Sequence, residues 1–139
     1  MRNTLDSGRV GSEGLLDSPA IGAFMLRDPG WEILRDRIDG AGSIEIGAAT
    51  LLETHVVLTN RTGRDALPLL DAFTREIGAQ VIPFTEAHWR AAAEGFLRYG
   101  KGRHAAGLNF GDCMALRAAR VTGLELLCKG ADFGLTDVG

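Results

Sequence analysis

Residues 15–27 read LLDSPAIGAFMLR. Leu15 to Asp17 has the character of a short buried strand, an apolar pair closed by a carboxylate. Ser18-Pro19 then opens a helix, because the locked φ and missing N–H of proline suit a first helical turn. Ala20 to Arg27 continues that helix. A strand that runs straight into a helix is the unit from which parallel sheets are built, since parallel neighbours need a long crossover.

Further strands of the same kind are expected at Ser43 to Ile46, Ala79 to Phe84 and Glu125 to Cys128, each bounded by Gly, Pro or polar residues. Helices are expected at about Pro29 to Asp39, Ala48 to Asn60, Asp65 to Ile77, Thr85 to Tyr99 and Asp112 to Thr122. In Asp65 to Ile77, Leu69, Leu70, Phe73 and Ile77 share a face, and Pro68 must fall in the first turn. In Thr85 to Tyr99, Thr85 caps the start, Trp89, Ala92, Ala93, Phe96 and Leu97 form one stripe, and Gly100 ends it. The alternation predicts an α/β fold, a small parallel sheet flanked by helices, with ligands at the carboxyl ends of the strands.

The chain of 139 residues is read as a loose leader over residues 1–14 followed by a single domain over residues 15–139. Its hydrophobic content of 45% is enough for a core, and its formal charge of -3 excludes a global cationic field for nucleic acid. Any contact with RNA must come from a local basic patch. Cys113 and Cys128 lack metal-ligand spacing and are expected as buried thiols. No apolar run approaches membrane-spanning length, so no membrane association is expected and the cytoplasm is the expected location. Neither GxxxxGK[ST] nor GxGxxG occurs, which argues against a nucleotide-phosphate cradle.

Most acidic residues, such as Glu32, Asp36, Asp39 and Glu76, stand among polar neighbours and read as surface charges. Four do not. Glu53 has Ala49, Thr50, Val56 and Val57 at helical spacing and no cation there, so it is expected on a largely apolar face. Asp112 has Leu108, Asn109, Ala115 and Leu116 at the same spacings, with helix capping as the alternative. Asp17 closes the first strand, and Asp132 follows the last one by a short turn, where it could equally serve as a turn or cap residue. Carboxylates gathered where hydration is reduced suit a hard divalent cation, because such ions take oxygen ligands.

The segments LLDSPAIGAFMLRDPG, AATLLETHVVL, VIPF, FLRYGKGRHAAGLNFGDCMALRAA and LELLCKGADFGLTD resemble the PIN-domain family, in particular the VapC-type toxins of bacterial toxin-antitoxin pairs. The resemblance spans Leu15 to Asp137. It implies a three-layer α/β/α fold and a Mg²⁺- or Mn²⁺-dependent endoribonuclease whose water nucleophile leaves a 5′-phosphate and a 3′-hydroxyl. The family's acidic positions fall on Asp17, Glu53, Asp112 and Asp132, which would hold the metal. Ser18 would orient Asp17 or a water.

The resemblance further implies an RNA substrate of the tRNA or rRNA class, a cognate VapB-like antitoxin and a homodimer. Pro19 stands where the family carries a polar residue, which removes a hydroxyl and a backbone donor. That departure defines a second reading, a catalytically silent PIN fold that acts only as an antitoxin-binding or regulatory partner. The grip on RNA is expected from Lys101, Arg103 and His104, with Arg98 before them and Gly100 and Gly102 between. His55 and His88 read as structural or surface residues and not as catalytic bases.

Overall fold

The computed structural model describes residues 13–100, 102 and 125–127. Its elements follow the order β1 (Glu13–Leu16), α1 (Ser18–Leu26), α2 (Trp31–Gly40), β2 (Ser43–Gly47), α3 (Ala48–Thr62), α4 (Leu67–Glu76), β3 (Gln80–Ile82), α5 (Glu86–Tyr99) and β4 (Glu125–Leu127). The helix expected at Asp112 to Thr122 and both cysteines lie outside the described residues.

All strand pairs are parallel, in the order β3-β2-β1-β4. The first strand is therefore central. In its register Gly14 faces Ile44 and Leu16 faces Ile46 on one side, with Leu127 beside Leu16 on the other. Leu15 and Leu16 are each about 1% exposed although successive strand residues point to opposite faces. Both faces of β1 are thus covered, which is the condition for a three-layer α/β/α arrangement. The helices supply the cover because consecutive parallel strands can be joined only by crossovers.

Leu16, Ile44 and Ile46 form the sheet side of the core, packed against Ile21 of α1, Leu34 and Ile38 of α2, Leu58 of α3, and Leu70 and Phe73 of α4. α4 begins at Leu67 and so admits Pro68 in its first turn, as its geometry demands. Leu69, expected on the buried face of α4, is 57% exposed, because the face settles on Leu70 and Phe73.

α5 ends at Gly100, whose N–H donates to the Phe96 carbonyl at 2.8 Å. Its buried face runs through His88, Ala92, Gly95 and Tyr99. Of the expected stripe, Trp89, Ala93, Phe96 and Leu97 are exposed and Ala92 alone is buried. Ala92 and Gly95 turn inward between His88 and Tyr99, while Trp89 and Phe96 stay exposed.

Candidate functional site

Where β1 runs out, Asp17 takes an extended backbone (φ -94, ψ 169) and caps α1. Its Oδ1 accepts the Ala20 N–H at 2.8 Å, which supplies one of the donors a helix start leaves unpaired. The residue is buried, 2% exposed. A carboxylate is favoured there because the amino end of a helix carries partial positive charge. Pro19 sits in the first turn of α1, where its missing N–H has no intrahelical partner to lose.

Sheet order gives this position its importance. The chain steps from β1 to β2 to β3 on one side and returns to place β4 on the other side of β1. Strand order therefore reverses between β1 and β4, and open α/β sheets bind ligands at the carboxyl edge of such a reversal. Asp17 stands at that edge directly after β1.

Beside it, α1 and α3 enclose an open cleft of about 320 Å³. Ser18, Pro19, Gly22 and Leu26 of α1 line one wall, and Glu53, Val57 and Arg61 of α3 line the other. Each set repeats at about four residues, so each is one stripe of its helix. Glu53 is half-buried in this wall. The apolar, buried face expected around it is not found: Val56 and Val57 are 48% and 49% exposed, while the buried face of α3 is Thr50, Thr54 and Leu58. Helical spacing told which residues neighbour Glu53 but not whether another element covers them. At the far end of the cleft Arg61 meets Asp28 at 3.7 Å, a pairing between α3 and the segment after α1 for which the sequence carries no local signal.

Asp17 and Glu53 are thus the two predicted carboxylates that the structure describes, and both belong to this corner of the molecule. Asp112, Asp132, Lys101, Arg103 and His104 lie outside the described residues. Among the described residues no group of three or more His, Cys, Asp or Glu converges as a metal-holding cluster. Arg98 lies near Glu94 at 3.9 Å and over the Tyr99 ring at 5.3 Å.

Both expected structural histidines have that role. His88 Nδ1 accepts the Thr85 N–H at 3.0 Å while Thr85 Oγ1 accepts the His88 N–H at 3.4 Å, a reciprocal cap on α5. His55 Nε2 lies 2.8 Å from Asp65 Oδ1, which also accepts the Leu67 N–H at 3.0 Å. The Leu67 N–H, and after it the imidazole of His55, hold the Asp65 carboxyl below its ordinary value of 3.8.

Comparison with known proteins adds three findings. The family model described as PIN domain matches residues 15–138. The chain is 39% identical over 125 residues to ribonuclease VapC36 of Mycobacterium tuberculosis, covering 89% of this chain and 90% of that protein. It is 35% identical over 124 residues to ribonuclease VapC of Mycolicibacterium smegmatis, covering 89% and 96%. Among solved structures, the Mycobacterium tuberculosis toxin VapC20, described as cleaving the sarcin-ricin loop, superposes with a TM-score of 0.72. That pair shares 17% identity over 91% of this chain and 96% of the other, a likeness of fold. Among the described residues no helix is long and apolar enough to cross a membrane.

Proposed function

The chain belongs to the PIN-domain family, and from that premise we propose that it is a VapC-type toxin, an endoribonuclease dependent on Mg²⁺ or Mn²⁺ and neutralised by a cognate VapB-like antitoxin. The observation that carries the reading is the place of Asp17: a buried carboxylate at the carboxyl edge of the central strand, where strand order reverses, beside a cleft walled by Glu53. Carboxylate oxygens are the donors that hard divalent cations take, so the residue types fit such an ion. Asp17 and Glu53 would hold it, together with Asp112 and Asp132. When bound, the ion supplies a Lewis acid that makes water a nucleophile near neutral pH and offsets the charge developing on the phosphate.

The protein's own part in the reaction is placement. The N-cap of α1 fixes the Asp17 carboxylate through the Ala20 N–H, so little side-chain freedom remains to be lost when a ligand arrives. Ser18, next in the chain and buried, faces the same cleft as Glu53. Lys101, Arg103 and His104 would grip phosphates flanking the scissile bond. The tRNA or rRNA class supplies the substrate, two copies form the working unit, and the cytoplasm is where all of these partners meet. Pro19 costs the first turn of α1 no helical hydrogen bond and leaves the Asp17 cap in place, so the helix start that holds the carboxylate is kept.

The test is incubation of the purified chain with a pool of total tRNA and rRNA, with and without Mn²⁺, followed by analysis of the product ends. The proposal expects Mn²⁺-dependent fragments bearing 5′-phosphates and 3′-hydroxyls, absent with Asp112→Asn. Intact RNA in every metal, or cyclic-phosphate ends formed without metal, would overturn it.

A further inference from the structure

The cleft between α1 and α3 extends well beyond the carboxylates. From Ser18 to Leu26 it follows α1 for about 12 Å at the helical rise, and its character changes along the way. At its mouth are Ser18 and Glu53, in the middle Gly22, Ala23 and Val57, and at its end the Asp28–Arg61 pair. A volume of about 320 Å³ lies at the small end of ligand sites and is too little for a helix about 10 Å across.

Resting on the ribonuclease reading above, we infer that this cleft is a specificity subsite for the nucleoside next to the scissile phosphate, with its base directed at Arg61, and that guanine is the base it selects. The phosphate belongs at the acidic mouth, where it requires a cation. A neutral base has no quarrel with the acidic surroundings, and the aliphatic walls suit its faces. The Arg61 guanidinium, 58% exposed and held on one side by Asp28, can present its fork of donors to a base edge. Guanine offers two acceptors, O6 and N7, in the geometry that such a fork fits.

Gly22 makes the room. A Cβ built on it meets nothing within 4 Å, so the cleft is open at this position and a side chain added here takes up space in it. Replacing glycine inside a helix also stabilises the helix, which separates blocking the cleft from damaging the fold.

The experiment uses a pool of short, randomised single-stranded RNA in Mn²⁺, cut by the wild-type chain, Gly22→Leu, Gly22→Ala and Arg61→Gln, with the cut ends sequenced and each variant melted by circular dichroism. Wild type is expected to prefer guanine at one position beside the cut. Gly22→Leu should lower kcat/KM on the preferred sequence about tenfold or more, towards that of the other bases, with a melting temperature at or above wild type. Arg61→Gln should flatten the same preference, and Gly22→Ala should fall between. Cleavage with no guanine preference, or the same preference and rate in Gly22→Leu, overturns the subsite while leaving the nuclease standing, and hands the cleft to a protein segment. No cleavage by wild type in any metal removes the nuclease reading and the subsite with it.

Discussion

Helix α3 carries a cleft on each flank, and the two are similar in size: about 320 Å³ towards α1 and about 370 Å³ towards α4. The larger one is lined by Leu51, Leu52, Leu67, Leu70 and Val81, with His55 and Asp71 at its rim. It lies against β3 at the edge of the sheet. The smaller one opens beside the central strand, where Asp17 is buried and Glu53 forms a wall. Volume does not distinguish them. Their place in the sheet does: the α1 flank starts at Ser18, next to the end of β1 where strand order reverses, and the α4 flank reaches Val81 of β3 at the sheet edge.

The largest effect that could break this contrast is on catalysis. Glu53→Gln keeps the shape of the α1 flank and removes its charge, and on the proposed mechanism should lower RNA cleavage by about a hundredfold or more, since a cation held there would be worth several kcal/mol in the transition state. Asp71→Asn on the α4 flank should leave the rate unchanged. Equal losses in the two variants would mean that the flanks do not differ in function.

Stability should show the reverse. Leu70, 4% exposed and part of the core below the α4 flank, should cost about 3 kcal/mol when cut to alanine. Urea melts would measure this, and activity per folded molecule should stay at the wild-type level.

Asp17 sharpens the comparison because it both caps a helix and belongs to the candidate site. Asparagine caps as well as aspartate, so Asp17→Asn should keep the thermal stability of the metal-free chain and lose the rise in melting temperature that the proposal expects of wild type in Mn²⁺. Asp17→Ala should lose the cap as well, about 1 kcal/mol further. A wild-type level of Mn²⁺ stabilisation in Asp17→Asn would remove Asp17 from the metal site.

The smallest effect belongs to the link between α3 and α4. Asp65 has its folded-state pKa lowered by the Leu67 N–H and by His55, so its contribution to stability is complete above the ordinary carboxylate value and is lost as pH falls through the lowered one. Asp65→Asn should therefore melt slightly below wild type near neutral pH, and the gap should close as the solution is acidified below 3.8. A gap that widens in acid would contradict the hydrogen-bonding arrangement around Asp65.

Particular residues show how far the chain could be read before its fold was known. The Thr85 cap, the Pro68 position and the Gly100 stop are each decided within a turn of helix, and all three are found where local geometry predicts. The buried face of α5 is not. Its large apolar side chains predict a stripe through Trp89 and Phe96, yet the protein buries His88, Ala92, Gly95 and Tyr99, because periodicity says which residues share a face and not which face is covered. Helical spacing places Glu53 among Val56 and Val57, but both valines are about half exposed and Glu53 lines a cleft wall. Asp112, Asp132 and the basic residues Lys101, Arg103 and His104 lie outside the described residues and rest on the resemblance.

Local order thus sufficed for the kind of element, its caps and the parallel alternation, since each depends on residues a few positions apart. Strand order, which puts the weakly apolar Glu13–Leu16 at the centre of the sheet, the place of Ser18 and Glu53 on one cleft, and the pairing of Asp28 with Arg61 came only with the tertiary structure. Those relations join segments far apart in the chain. Their energy lies in packing helices over both faces of one strand, and no stretch of sequence holds that by itself.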